Sequence, residues 1–212
     1  MISLIIIFGS SFITALSGAL MPGPLLFYTI AETGKNGAWT GFFVIIGHAI
    51  LELIIVVLLL LGFRNLLNKN IFEIIISLIG GITLFIMGLT MIIPALKNKL
   101  KLEDNTKIKK ASRYLIISGI IVSISNPFFI IWWFFIGAGY LYSALKLGAL
   151  GIIFFFIGHT LADMSWYVFV SYCIHKGKKI IGDTFYKYLI ITCAFLIIAM
   201  GAFFIYNGTR LI

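Results

Sequence analysis

Two histidine–carboxylate pairs, His48 with Glu52 and His159 with Asp163, stand inside long apolar runs of this chain. The members of each pair are four residues apart, which on an α-helix puts both groups on one face, a turn from each other. A carboxylate beside an imidazole can hold a proton and release it, because each charge biases the ionisation of the other. The same four side chains are nitrogen and oxygen donors that suit Zn2+, Mn2+ or a related ion. They could also serve acid–base or metal chemistry in an intramembrane enzyme. An aspartate at the bilayer centre costs about 2.5–3.5 kcal/mol on insertion scales, so by default it marks a functional pathway. Proton coupling by His48, Glu52, His159 and Asp163 is the first expectation, with no bound metal or other cofactor.

The elements that must position these groups are membrane helices. The chain has 212 residues, 61% of them hydrophobic and 11% charged, which excludes an ordinary soluble domain. Apolar runs of about 18 residues or more read as transmembrane helices. Six such runs fall near 2–31, 38–62, 71–95, 113–140, 147–174 and 185–207. The chain starts Met1-Ile2-Ser3-Leu4 without a basic segment, so the first run is expected to stay as a helix. The net charge of +9 reflects membrane orientation rather than nucleic-acid binding. Twelve basic residues lie on one side: Lys35; Lys97, Lys99, Lys101, Lys107, Lys109, Lys110 and Arg113; Lys176, Lys178, Lys179 and Lys187. Four lie on the other: Arg64, Lys69, Lys146 and Arg210. This predicts a multi-pass protein with both termini outside and the basic linker 97–112 in the cytoplasm. Cys173 and Cys193 show no metal spacing and are expected to pack.

The two pairs belong to a longer repeat. Gly47-His48 recurs as Gly158-His159, and Gly37-Ala38 recurs as Gly148-Ala149 at the same offset. Met87-Gly88 matches Met200-Gly201 at nearly that spacing. The fold expected is an all-α membrane protein of six transmembrane helices in two three-helix repeats, 1–96 and 113–212. An odd number of crossings inverts the second repeat relative to the first. The first and fourth runs are much longer than the about 20 residues that span the hydrocarbon. Each carries proline near its middle, at Pro22-Gly23-Pro24 and at Asn126-Pro127. A break there predicts half-helices starting at membrane depth, with Asn126 as N-cap and Pro127 at the first position. Such termini offer N–H groups and partial positive charge to an anion. Pro22, Gly23, Pro24, Asn126, Pro127 and the following Trp132 are therefore candidate substrate contacts. Trp132 and Trp133 read equally as packing or lipid-facing residues. Trp39, Tyr140 and Tyr142 fit an interfacial belt, and Glu32 and Glu73 are expected to be solvated at helix ends.

Pro22-Gly23-Pro24 in the first helix, the glycine-spaced second helix (Gly34, Gly37, Gly41, Gly47) and the later Asn126-Pro127 resemble the LysE amino-acid exporter family. The resemblance covers essentially the whole chain. It implies export of amino acids across the plasma membrane, driven by proton exchange or membrane potential. Many members follow Asn-Pro with Lys, where this chain has Phe128. Relatives that handle metal cations keep a divalent-ion transporter as the alternative. The partners expected are an amino acid, protons and the lipid bilayer, but not nucleic acid; homodimerisation is left open.

Overall fold

The computed structural model describes residues 2–62, 70–97, 112–177 and 182–210. Among these every regular element is a helix, and there is no strand. Helix is what an apolar solvent demands, because it satisfies each backbone N–H and C=O within its own segment. Helix α1 spans Ile2–Ala19, and after residues 20–23 helix α2 runs over Pro24–Asn36. Pro24 sits in the first turn of α2, where its missing N–H leaves no bond unmade. Gly37 closes α2 at φ 97°, a left-handed conformation that glycine adopts without strain, and its N–H donates to the Thr33 carbonyl. Helix α3 is Thr40–Leu60 and α4 is Asn70–Leu96. Helix α5, Ser112–Ile124, is followed by α6, Pro127–Trp132. A π-helical turn over Trp133–Gly137 joins α6 to α7, Ala138–Leu145. Helices α8, Gly148–Gly177, and α9, Asp183–Arg210, complete the described chain.

Four described helical segments are long and apolar enough to cross a membrane: Ile2–Ala19, Thr40–Leu60, Gly148–Gly177 and Lys187–Arg210. Ser77–Ile93 and Ser112–Ile124 are shorter apolar helical segments. The outward surface is apolar as well, with Ile6, Ile13, Leu53, Ile79, Phe169 and Phe195 exposed. That is the surface a hydrocarbon solvent accepts. Apart from Lys97 and Ser112, the basic linker 97–112 lies outside the described residues, as do Arg64, Lys69, Lys178, Lys179 and the side chain of Glu73.

Glycine sets how closely the helices approach, and the close contacts come in matched sets. Helix α3 packs on α5, α1 on α8, α4 on α9, and α3 also meets α8. A Cβ added at Gly47 of α3 would fall on the Ile116 carbonyl of α5. At Gly158, its counterpart in α8, an added Cβ would lie 2.6 Å from the Phe8 carbonyl of α1. Gly119 of α5 abuts the Val44 carbonyl of α3. Ser11 of α1 meets Phe155 of α8, and its hydroxyl donates to the Phe155 carbonyl at 2.7 Å. Phe155 precedes Gly158 by the same step as Val44 precedes Gly47. Gly88 of α4 faces Ala194 and Ile198 of α9, while Gly201 of α9 faces Gly81 and Phe85 of α4. One constant displacement carries Gly81 to Ala194, Phe85 to Ile198 and Gly88 to Gly201. Close backbone approach of this kind replaces the hydrophobic effect as the cohesive force between membrane helices.

Two expectations for single residues need correction. Glu32 is buried, at 3% exposure, and accepts from Lys35 Nζ at 3.1 Å and Asn36 Nδ2 at 2.9 Å. Partners one turn along its own helix let a carboxylate leave solvent. Tyr140 does not join a belt, because its hydroxyl shares a 2.8 Å hydrogen bond with Thr14 of α1 and its ring stacks on Phe155. Trp39 and Tyr142 are exposed at helix ends.

Candidate functional site

The histidine–carboxylate pairs of α3 and α8 meet in one buried cluster. Glu52 Oε1 is its centre. His159 Nε2 lies 2.7 Å away, from the opposite helix, and His48 Nε2 lies 3.1 Å away, one turn back on the same helix. The indole N–H of Trp133 donates to the same oxygen at 3.3 Å. Asp163 Oδ2 is 3.4 Å from His159 Nε2 and 3.8 Å from His48 Nε2, which leaves it in the field of both imidazoles without a close hydrogen bond. Glu52 is 1% exposed, His159 4% and Asp163 5%. The i,i+4 spacing brings each pair into register, and the close crossing of α3 and α8 brings the pairs together.

The hydrogen bonds constrain where protons sit. Ser123 Oγ donates its only hydrogen to the Gly119 carbonyl at 2.7 Å. It therefore accepts from His48 Nδ1, which is 2.7 Å away and must carry a hydrogen. His48 Nε2 then faces Glu52 Oε1, and that contact is attractive only with a proton between the two atoms. Either an imidazolium or a carboxylic acid supplies it. The cluster is thus built to hold a proton beyond the neutral imidazole pair. Three of its buried polar atoms have no hydrogen-bond partner: Glu52 Oε2, Asp163 Oδ2 and His159 Nδ1. Unsatisfied acceptors at this depth are costly, so they mark where a proton or a cationic group would be held.

The two halves contribute unequally around this centre. Trp132 and Trp133 both tilt against the His159 ring, with centroids 5.0 and 5.1 Å away, and Phe155 closes a third side. Trp133 and Phe155 are essentially unexposed. On the other histidine the corresponding neighbour is Phe129, 5.0 Å from the His48 ring. Sequence puts Trp133 and Ser123 beside the Asn126-Pro127 break as groups that could line a site, with packing or backbone bonding the commoner role of each. A buried indole N–H needs an acceptor, so a tryptophan in an apolar run with one carboxylate in reach is a usable signal for Trp133. Ser123 gives none, since hydroxyls in membrane helices usually bond their own backbone, as this one also does.

The remaining candidates lie at the two helix interruptions. Pro22 is exposed, Gly23 half-buried and Pro24 buried. Gly23 precedes α2 in extended conformation without a side-chain cap. Asn126 precedes α6, and its side-chain oxygen accepts from the Phe128 N–H at 3.1 Å, with Pro127 buried behind it. Both interruptions lie close to the cluster. Ser123, the partner of His48, is in the last turn of α5, and Trp132 Nε1 comes within 3.7 Å of where a Gly18 Cβ would stand, near the end of α1.

One ligand atom each from His48, Glu52 and Asp163 lie within 4.8 Å of one another, which would allow a divalent ion. The closest donors argue for protons instead. Ligand atoms about 2.0–2.1 Å from one tetrahedral ion stand roughly 3.3 Å apart. His159 Nε2 and Glu52 Oε1 are at hydrogen-bond distance, 2.7 Å.

The chain matches the family described as LysE type translocator over residues 16–208. No significant match is found among curated proteins or among solved structures.

Proposed function

Because the chain belongs to the LysE type translocator family, a family of membrane transporters rather than enzymes, we propose that it exports amino acids across the plasma membrane in exchange for protons. The single observation that carries this reading is the buried cluster. Two carboxylates and two imidazoles from different halves meet at Glu52 Oε1, and two carboxylate oxygens there lack a partner. Such a centre can take either a substrate ammonium group or a proton, and the two compete for the same acceptors. That competition is the elementary requirement for exchange.

The architecture we propose is a pair of inverted three-helix repeats. In it α1 with α2 forms one interrupted span, and α5 with α6 and α7 forms the other. The matched glycine contacts support it, since each close approach in one half has a counterpart in the other at a nearly constant displacement. Alternating access then follows from rocking one repeat against the other around the cluster. In this scheme the N-terminus of α2, with no side-chain cap, offers its N–H groups to the substrate carboxylate. Asn126 caps its own terminus and shapes the second interruption. Both termini face outward, and the 97–112 linker is cytoplasmic.

The test is competition against a labelled amino acid in proteoliposomes. A decarboxylated analogue keeps the side chain and the ammonium group. It should compete at least about tenfold more weakly than the parent, since charge-assisted hydrogen bonds to the carboxylate are worth about 1.5–3 kcal/mol. Equal competition would remove the carboxylate from the recognition scheme and leave a site that selects cations. Efflux of Zn2+ or Mn2+ with no amino-acid flux would move the cargo to a divalent ion.

A further inference from the structure

Helix α8 carries a polar stripe at four-residue spacing that the cluster does not use up. It runs His159, Asp163, Tyr167, Ser171, His175. Each lies about one turn and 6 Å beyond the last, so the stripe winds slowly around the helix as it advances. Asp163, Tyr167 and Ser171 are buried, and His175 emerges exposed near the α8 C-terminus. Helix α2 lays its own stripe along this line: Thr29 and Thr33 are both unexposed and donate to the Leu25 and Thr29 carbonyls, so Thr33 Oγ1 accepts from Ser171 Oγ at 3.0 Å. The Gly41 N–H of α3 donates to Ser171 Oγ at 2.8 Å. The His175 ring approaches to 3.9 Å of a Cβ built at Gly37, where α2 ends.

The matched helix has nothing of the kind. Counting on from Glu52 in the same steps, α3 presents Val56 and Leu60. In the opposite direction from His159, α8 presents Phe155, and Trp132 and Trp133 press on the imidazole. On the side of Phe155 the hydroxyls of Ser11, Thr14 and Tyr140 are held by a backbone carbonyl or by each other, whereas Tyr167 and Ser171 run on in line from Asp163. A hydroxyl can accept a proton on one lone pair while releasing another, which apolar side chains cannot do.

We propose that the Tyr167–Ser171 stripe of α8, flanked by Thr29 and Thr33 of α2, is a proton half-path. It joins the cluster to the face where α2 and α8 end, with water bridging the gaps between hydroxyls. The path rests on the proton-exchange reading of the cluster. The tyrosine hydroxyl relays a proton between Asp163 and Ser171 and keeps none. Ionisable groups on the packed elements are His48 and Glu52 of α3, Tyr28, Glu32 and Lys35 of α2, and Tyr140 and the exposed Tyr142 of α7. Of these, Glu32 is already held by Lys35 and Asn36, and Tyr140 by Thr14.

Trp133 provides the readout, since its N–H rests on Glu52 and its ring on His159. Vesicles are prepared in which all molecules present the α8 C-terminal face outward, with Trp39→Phe and Trp166→Phe to leave the two cluster tryptophans. A stopped-flow pH jump outside should change their fluorescence as the cluster takes up or loses protons. Tyr167→Phe, which keeps the ring, should slow that response by about tenfold or more while leaving its final amplitude unchanged. Leu60→Ala, at the exposed position on α3 that matches Ser171, should leave the rate unchanged. A Tyr167→Phe rate equal to wild type, with full amplitude, overturns the path and leaves the exchange reading intact. No fluorescence change in the wild type at any pH from 5 to 9 overturns both. A lower thermal midpoint for Tyr167→Phe with an unaltered rate counts against the path as well, because it shows packing alone.

Discussion

Glu52 and Asp163 are equivalent by position in the repeat, yet the geometry makes them unequal, and the difference can be measured. Glu52 Oε1 is contacted at 2.7 Å by His159, 3.1 Å by His48 and 3.3 Å by Trp133. Glu52→Gln keeps the shape and removes the charge. Two charge-assisted contacts worth about 1.5–3 kcal/mol each become neutral ones worth about 0.5–1.5. A total loss on the order of 3 kcal/mol follows. Asp163 is 3.4 and 3.8 Å from the same imidazoles, beyond the 2.7–2.9 Å range of a charge-assisted hydrogen bond. Asp163→Asn therefore has less to lose, about 1 kcal/mol. The assay is reversible unfolding in mixed micelles, with proton-driven flux measured on the same preparations. Both substitutions should abolish pH-driven flux, while only Glu52→Gln should markedly lower stability. Equal stability losses, or a larger one for Asp163→Asn, would refute the placement of Glu52 at the centre. Wild-type pH dependence of flux in both variants would refute proton coupling by the cluster.

Three further outcomes are expected. Gly47→Ala and Gly158→Ala should each lower stability by about 1–3 kcal/mol through overpacking at α3–α5 and α1–α8. Gly139→Ala, with open space around it, should be neutral or stabilising by up to about 1 kcal/mol in the same unfolding assay. Ala15 occupies the place in α1 that Ser123 occupies in α5, by the offset that pairs Phe8 with Ile116. Ala15→Ser should give the unpartnered His159 Nδ1 a hydroxyl and raise the unfolding free energy by about 1 kcal/mol. With Cys173 and Cys193 replaced by alanine, an impermeant thiol reagent applied to intact cells should label Leu147→Cys and spare Trp39→Cys, both sites being exposed. The reverse pattern would invert the topology.

The parts of the site that are legible in sequence are those with a local signature. His48, Glu52, His159 and Asp163 stand out because polar groups are expensive in an apolar run, and the four-residue spacing needs only the helix to align them. All-helical structure follows from composition for the same reason of backbone satisfaction. What sequence does not reveal depends on contacts between distant segments. The Glu52–His159 bond joins two helices far apart in the chain, and nothing local says which oxygen both histidines share. Glu32 departs from expectation because a carboxylate near a helix end is usually solvated, and only the turn carrying Lys35 and Asn36 makes burial tolerable. Tyr140 departs because a tyrosine at a helix end is as good a belt residue as a core one until Thr14 is known to face it.

Where the matched halves differ says more about function than where they agree. Agreement in Gly47 and Gly158, or in Gly88 and Gly201, serves close packing, and packing has to be right in both halves. At the cluster the agreement stops. His48 Nδ1 has Ser123 where His159 Nδ1 has no hydrogen-bond partner; His159 has two tryptophans where His48 has Phe129; Tyr167 and Ser171 run on from Asp163 where Val56 and Leu60 run on from Glu52. Two equivalent halves around one site would give two states of equal free energy related by a two-fold rotation, each opening to one face. Under the proposed exchange mechanism such differences would set how tightly the cluster holds its proton and cargo toward each face, while the gradients set the direction of net flux. Positions 15, 123 and 167, each unlike its match, are therefore where substitutions should change coupling before they change the fold.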